Sequence, residues 1–380
     1  MASSPSPPQP LVVGVPTEVK NNENRIAITP DGVRELIHRG VSVLVQAGAG
    51  VSSSISDEEL TRAGARVVAD ADTVWAEADL ICKVKEPRPE EYPRMRKGQV
   101  LFTYLHLAAY PEVADELLSR GVTGIAYETV QFPEGALPLL APMSEVAGRM
   151  ATQIGAHFLQ REHGGRGVLL GGAPGVRPAR VVVVGAGNVG WNAAWIAAGM
   201  EAEVVLLDRN LDRLRWVDQI HRGRIMTLAS NRGSVERSVA QADLVIGAVL
   251  VAGGRAPVVI TDEMVQGMQD RSVIVDVAID QGGCVEGIRE TTHDDPVFER
   301  HGVLHYAVGN IPGAVPHTST YALTNATLPY LAALATQGVA AAIAADPALA
   351  LGVNTLAGAV THEAVAESID QPYTSLADVV

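Results

Sequence analysis

The segment from Arg180 to Asn210, RVVVVGAGNVGWNAAWIAAGMEAEVVLLDRN, decides the fold. It reads as strand, glycine-rich turn, helix and second strand. Val181 to Val184 is an unbroken β-branched run, which suits a parallel strand buried on both faces. Gly185, Gly187 and Gly190 give GxGxxG in the turn, an apolar helix follows from about Val189 to Met200, and Asp208 closes a second strand begun at Glu203. Gly185 permits the tight turn, Gly187 lets the backbone approach a pyrophosphate, and Gly190 lets the helix pack close to the strand. The diphosphate would rest on the helix N-terminus, where N–H groups and the dipole favour negative charge. A carboxylate at the position of Asp208 accepts hydrogen bonds from a ribose 2′-hydroxyl and repels a 2′-phosphate, which favours NAD over NADP. The adjacent Arg209 keeps a 2′-phosphate open. The glycine pattern alone is weak, and its strand, helix and acidic strand end turn it into a dinucleotide site.

Around this segment, 380 residues with 47% hydrophobic content can bury two cores. The formal net charge of −14 argues against a nucleic-acid or membrane-surface partner. Two cysteines, Cys82 and Cys284, make a disulfide framework unlikely to be the organising device and suit a reducing cytoplasm. The first ten residues, MASSPSPPQP, read as a disordered extension with neither the basic nor the apolar region of a signal peptide. No uninterrupted apolar run reaches membrane-spanning length, so a soluble protein is expected.

From Leu11 the pattern alternates. LVVGVPTEV is a strand and TPDGVRELIHRG a helix, with Thr29 as N-cap and Pro30 in the first helical position. VSVLVQAG, ADLICKVKE, QVLFTYLHL and VTGIAYETV follow as strands, and DEELTRAGA and ADTVWAEA as helices. This is a doubly wound α/β unit complete before the glycine turn. A long helix, SEVAGRMATQIGAHFLQRE, connects it to the dinucleotide unit, whose sheet continues through ADLVIGAVL and SVIVDVAID to a last edge at LHYAVGNIPG. TSTYALTNATLPYLAALA is a second long helix that would return to the first domain. The expected fold is therefore α/β, with two doubly wound parallel-sheet domains and a cleft between them, the second a Rossmann domain. The expected divisions are residues 1–10 as extension, 11–140 with 317–380 as a discontinuous substrate domain, and 141–316 as the NAD-binding domain.

Arg25, one or both of Lys83 and Lys85, and His106 fall near the carboxyl ends of strands in the first domain. Arg25, in VKNNENRIAIT, would grip a substrate carboxylate bidentately; the plain alternative is a solvated surface arginine. Lys83 and Lys85, in ICKVKEP, share a strand face, and such a lysine either hydrogen-bonds a carbonyl oxygen or snorkels at the strand edge. His106, in VLFTYLHLAAY, fits an acid/base or a satisfied core histidine. Together they offer an anion clamp, a carbonyl polariser and a proton carrier, the set that a 2-oxo or 2-amino acid needs. In the dinucleotide domain, Asp280 could activate water or bind a nicotinamide ribose, whereas Asp276, inside its strand, is the structural candidate. Cys284 reads as a small packing residue, and His301 and His305 are too weakly spaced for a metal, so no metal is expected.

The stretches GVPTEVKNNENRIAITP, KVKEP, LFTYLHLAA, AYETVQ, LPLLAPMSEVAGR, VVVVGAGNVG, DLVIGAVLV, VDVAIDQGGC and TSTYALTNATLPY occur in this order. From about Val13 onward the chain thereby resembles the alanine dehydrogenase branch of the alanine dehydrogenase/pyridine nucleotide transhydrogenase family. The resemblance implies NAD-dependent, reversible oxidative deamination of L-alanine to pyruvate and ammonium, by hydride transfer and water attack on an imine. It implies that Arg25 binds the substrate carboxylate, Lys85 the carbonyl or amino group, that His106 is the acid/base, and that Asp280 positions or activates the water. It carries cofactor contacts to Ser144, Asp208, Arg213, Ser230, Val249, Leu250, Val277, Ala278, Ile279, Asp280, Arg289, Val308, Gly309, Asn310 and Ile311, and a homohexameric assembly. The alternatives are an NAD(H)-binding component of a transhydrogenase and a non-catalytic nucleotide-binding protein. The chain departs from the family pattern at Ala252, Gly254 and Arg255, at His317 and at Trp191, where altered affinity rather than lost activity is expected.

Overall fold

A computed structural model describes residues 10–249 and 256–380. The chain forms two compact units, one running to Met143 and resuming at Gly313, the other spanning Ser144–Pro312. The first unit contains β1 (Val13–Val15), β2 (Val43–Gln46), β3 (Arg66–Val68), β4 (Leu80–Cys82), β5 (Val100–Thr103) and β6 (Thr123–Ala126). The second contains β7 (Arg180–Val184), β8 (Glu203–Asp208), β9 (Ile225–Ala229), β10 (Leu244–Gly247), β11 (Val273–Asp276), β12 (Val297–Arg300) and β13 (Val303–Tyr306). After it, β14 (Val353–Leu356) and β15 (Ala359–Val360) return to the first sheet.

Both sheets grow outward in two directions from their first strand. The first has the order β15-β14-β6-β5-β4-β1-β2-β3, and the second β12-β13-β11-β10-β7-β8-β9. Each is mostly parallel with an antiparallel edge: β14 runs against β6 in the first, and β12 against β13 in the second. Strand order therefore reverses between β1 and β4, and again between β7 and β10. In open α/β sheets, ligands bind beyond the carboxyl ends of strands at such points.

Local chemistry sets the elements. The helix Pro30–His38 starts where the Thr29 hydroxyl accepts the Gly32 N–H at 3.2 Å. Ser56 and Glu59 form a reciprocal capping box on Asp57–Ala63. The β-branched run Val181–Val183 is fully buried, with helices of the second unit packed over it. Gly148 and Gly155, on the helix Ala141–Phe158, are close-approach positions. A Cβ at Gly148 would lie 2.2 Å from the Val189 carbonyl oxygen, and one at Gly155 2.4 Å from Leu244.

Several readings of the sequence change. LHYAVGNIPG is not the last edge, because β12 and β13 form a hairpin with β12 outermost. His301 and Gly302, with φ of 54° and 73°, make its two-residue turn, the conformation that matches the twist of a tight hairpin. β3, β9 and the helix Pro111–Arg120 are additional elements, short or polar enough to carry little periodic signal. β4 stops at Cys82 and β5 at Thr103, so Lys83, Lys85 and His106 all stand in the loops beyond. Two of the positions that depart from the family pattern are described: Trp191 packs on Trp195 and Trp216, with ring centroids 5.1 and 5.0 Å away, and the His317 ring lies 5.0 Å from that of Tyr321. Leu250, Ala252, Gly254 and Arg255 lie outside the described residues.

Candidate active site

The loops after β1 and β4 flank the reversal point of the first sheet, and they carry Arg25 and the KVKEP run. The β1 loop is held from outside: Thr320 on the helix Pro316–Gln337 accepts the Ile26 N–H at 3.1 Å, and the Ser53 hydroxyl donates to the Asn24 carbonyl at 3.0 Å. Arg25 is buried, only 2% exposed, which removes the solvated-surface reading. Glu23 already takes one edge of its guanidinium, accepting from Nε at 2.6 Å and Nη2 at 2.5 Å. Nη1 lies 2.9 Å from the Met143 Sδ. Burial alone would raise the Glu23 carboxyl, but Arg25, with Lys85 adding to it, holds the group at about 2. The Nε and Nη2 edge of the guanidinium, the side-on edge expected for a substrate carboxylate, is thus engaged by Glu23.

Lys83 and Lys85 are not equivalent. Beyond the strand end, the alternation that would put both on one face no longer applies. Lys83 is fully buried between Glu18 at 3.1 Å and Glu91 at 2.8 Å, a structural role. Burial pushes its ammonium down, and the two carboxylates outweigh this and push it up. Glu18 also accepts the backbone N–H of Val84 at 2.6 Å and of Lys85 at 3.3 Å, so it pins the loop that presents Lys85. Burial pushes the Glu18 carboxyl up to about 7 against the lowering by Lys83. Lys85 is half-buried, with Nζ 6.0 Å from the centroid of the Tyr104 ring. Tyr104 donates its hydroxyl to the Leu139 carbonyl at 2.6 Å, and burial pushes the phenol up, so the ring is a fixed neutral wall.

His106 stands three residues past β5, in the left-handed region with φ of 49°. This conformation is uncommon for a non-glycine residue and needs support from its surroundings. Glu128 supplies it, accepting the His106 N–H at 2.6 Å and the Leu105 N–H at 3.1 Å. The imidazole stacks on Tyr104 with centroids 5.6 Å apart, and Nδ1 lies 3.2 Å from Glu86 Oε2. Glu86 in turn accepts from Lys20 at 2.7 Å. The histidine is half-buried and hydrogen-bonded through one ring nitrogen, a fit for proton transfer rather than for a satisfied core residue. Glu23, Glu86 and Glu128 escaped the reading of the sequence. The signal for Glu23 was a carboxylate two positions before Arg25 and for Glu86 one directly after Lys85, whereas Glu128 offered none.

In the second unit the glycine turn tests whether a dinucleotide fits. Gly185 has φ of +108°, and a Cβ there would meet the Ala248 carbonyl oxygen at 2.4 Å across the reversal point. A Cβ at Gly190 would lie 1.7 Å from the Gly185 carbonyl oxygen. At Gly187 the nearest atom is Arg213 Nη1 at 3.9 Å, so the protein itself leaves this side of the turn open. Gly187 is also the N-cap of the helix Asn188–Gly199, and no side chain caps that end. The cradle fits a diphosphate. Asp208 ends β8, where its Oδ2 accepts the Ala186 N–H at 2.6 Å and lies 3.9 Å from Arg213 Nη1. Ser230 donates its N–H to the Asp208 carbonyl at 2.9 Å, and Val249 follows β10.

Val277, Ala278, Ile279 and Asp280 form a 3₁₀ turn directly after β11, with the buried Asp276 as its cap. Asp276 accepts from Ala278, Cys284 and Val285 backbone N–H groups, which makes it the structural carboxylate. Cys284 is buried against it, and burial raises the thiol. Asp280 is exposed, and its Oδ1 accepts the Asn310 N–H at 3.3 Å from the segment Val308, Gly309, Asn310 and Ile311 after β13. Arg289 stacks over Phe298 at 4.5 Å on β12. Ser144 lies half-buried in the first turn of Ala141–Phe158. His301 bonds Asp262 and His305 bonds the Val303 carbonyl, and among the described residues no group of three or more potential ligands could hold a metal.

Residues 14–147 match the family description "Alanine dehydrogenase/PNT, N-terminal domain" and residues 151–363 match "Alanine dehydrogenase/PNT, C-terminal domain". The chain belongs to the alanine dehydrogenase/PNT family. It is similar to the alanine dehydrogenase of Mycolicibacterium smegmatis, 58% identical across 97% of this chain and 99% of that protein. The alanine dehydrogenase of Bacillus subtilis is 55% identical across 96% of each chain. A solved L-alanine dehydrogenase superposes with a TM-score of 0.92 at 49% identity, covering 95% of this chain and 99% of that one. A transhydrogenase from Sinorhizobium meliloti superposes with a TM-score of 0.79 at 27% identity, covering 92% and 99%. Within the alanine dehydrogenase/PNT family the chain therefore stands much nearer the alanine dehydrogenases than that transhydrogenase.

Proposed function

We propose that this chain is an L-alanine dehydrogenase that uses NAD to deaminate L-alanine reversibly to pyruvate and ammonium. The observation that carries the reading is the set Arg25, Lys85 and His106, each beyond a central strand end of the first sheet and each held by a carboxylate. In this reading the first unit takes the substrate and the second takes the dinucleotide, through Gly185, Gly187, Gly190, Asp208, Arg213, Ser230 and the loops after β10, β11 and β13. When bound, the nicotinamide accepts the hydride from the substrate Cα. Arg25 binds the substrate carboxylate. Lys85 hydrogen-bonds the amino group and then the forming carbonyl oxygen. Asp280 orients the water that attacks the imine. His106 takes the proton from that water and returns one to the departing amine, a task suited to an imidazole, whose two ring nitrogens can each hold or release a proton.

Asp208 supports NAD over NADP, since a 2′-phosphate would meet its carboxylate. The homohexamer and the cytoplasmic setting are proposed on the family resemblance. Two free buried cysteines agree with a reducing compartment, and no helix among the described residues is long and apolar enough to cross a membrane. The test is NADH formation by the purified protein with alanine, serine or glycine, using NAD or NADP. The reading expects alanine and NAD to be the preferred pair, and Asp208→Ala to weaken NAD by about tenfold, or about 1.4 kcal/mol. Tight NADH binding without turnover of any amino acid would contradict it and support a nucleotide-sensing protein.

A further inference from the structure

We propose that Glu86 is a positioning residue for His106: it accepts the Nδ1 proton and thereby fixes the tautomer whose bare Nε2 receives the proton from the reacting water. The inference rests on the acid/base reading of His106 given above. Glu86 comes from the same loop as Lys85, so one loop delivers both a substrate contact and the orienting group. Its side chain is fully buried, one oxygen toward Nδ1 at 3.2 Å and the other taken by Lys20 at 2.7 Å. A carboxylate so divided cannot turn away from the imidazole without leaving its Oε2 buried and without that hydrogen bond. Burial opposes its ionisation, but His106 and Lys20 together hold the carboxyl at about 2, so it stays a charged acceptor throughout the working range. Glu128 fixes the backbone of His106, and the stacked Tyr104 fixes one face of the ring. With those two restraints in place, Glu86 determines which nitrogen carries the proton.

The charges facing His106 are Glu86, with Lys20 and Arg88 on its outer oxygen, Glu128 beneath the backbone N–H, and Lys85 beyond the Tyr104 ring. Glu86 is the charged group bonded to the ring, so a change in its charge is read in the pH profile of turnover. Two single variants should then act in opposite directions. Glu86→Gln keeps the shape and removes the charge. It should move the acid limb of the alanine deamination profile, followed as kcat/KM, to lower pH by about one unit. It should also lower kcat on the plateau by about tenfold, the rate equivalent of that unit, with KM for NAD unchanged. Lys20→Met leaves Glu86 less neutralised and should move the same limb to higher pH.

The comparison variant is His106→Ala, measured with the others for alanine turnover and NADH binding. Loss of the limb in His106→Ala, with opposite shifts in the other two, supports the proposal. Loss of the limb in His106→Ala, with no shift in Glu86→Gln or Lys20→Met, overturns the role of Glu86 alone and leaves a structural ion pair. Retention of the limb in His106→Ala overturns the acid/base reading itself. Should Glu86→Gln fail to fold, Lys20→Met, on a lysine still partly exposed, decides the matter by its direction.

Discussion

Glu23 occupies the Nε and Nη2 edge of Arg25, so the cation proposed to bind the substrate carboxylate is also half of a buried ion pair. This gives the site a pH dependence with a definite sign. Glu23 sits at about 2 in the fold, against 4.5 for the ordinary group. A carboxyl depressed in this way contributes its stability above its unfolded value, and loses it as pH falls through 4.5 toward about 2. Glu23→Gln should therefore destabilise the protein at neutral pH by about 3–5 kcal/mol, because it leaves the Arg25 charge buried without its carboxylate. It should also flatten the loss of stability below pH 4.5, where the wild-type group takes up its proton. Denaturant unfolding at pH 7 and in acid checks both, and parallel curves for variant and wild type would contradict the assignment. The sequence offered Arg25 as a candidate anion clamp, whereas its pairing with Glu23 was not legible there. Residue type announces an anion site, but only three-dimensional contacts reveal that Glu23 is already there.

At the scale of elements, the strand–turn–helix–strand unit from Arg180 to Asp208 is the most legible part of the chain, because its constraints are local. The glycines answer to backbone clashes that the neighbouring strand and helix impose, and the apolar run answers to burial on both faces. Two of those glycines make different demands. At Gly190 an added Cβ meets a carbonyl oxygen at 1.7 Å, whereas at Gly187 it meets nothing nearer than 3.9 Å. Gly190→Ala should therefore destabilise the second unit by about 1–3 kcal/mol. Gly187→Ala should leave thermal stability nearly unchanged and weaken NADH binding by about tenfold, through the lost close approach of backbone to diphosphate. Melting curves and NADH fluorescence titrations separate the two. Equal destabilisation by both would contradict the distinction. The antiparallel edge strands were less legible. β12 is half-exposed and its pairing depends on the left-handed His301–Gly302 turn, so the histidines that stood out there mark a hairpin. The polar loop residues that hold Lys85 and His106 were missed for a related reason: Glu18, Glu86 and Glu128 act across long sequence separations, and no local period records them.

Across the whole molecule, the same architecture is used twice. Each sheet reverses its strand order next to its first strand, and each places most of its candidate residues at or beyond the carboxyl ends of strands at that reversal or near it. The α/β class was legible because alternating strands and helices leave a repeated signature over hundreds of residues. The ordered succession of motifs was specific enough to indicate the family, and the match of both halves to alanine dehydrogenase/PNT descriptions agrees with it. The proposed function gives His106 the movement of protons and Asp280 the orientation of water. The most direct measurement is steady-state NADH formation from alanine by the wild type, His106→Ala and Asp280→Asn, each checked for retained NADH binding. Removing a general acid/base costs about 10²–10⁴-fold. Alanine turnover by the wild type, with kcat lowered by that order in both variants and NADH still bound, is the predicted result. Variants that bind NADH and turn over alanine at the wild-type rate would contradict the account.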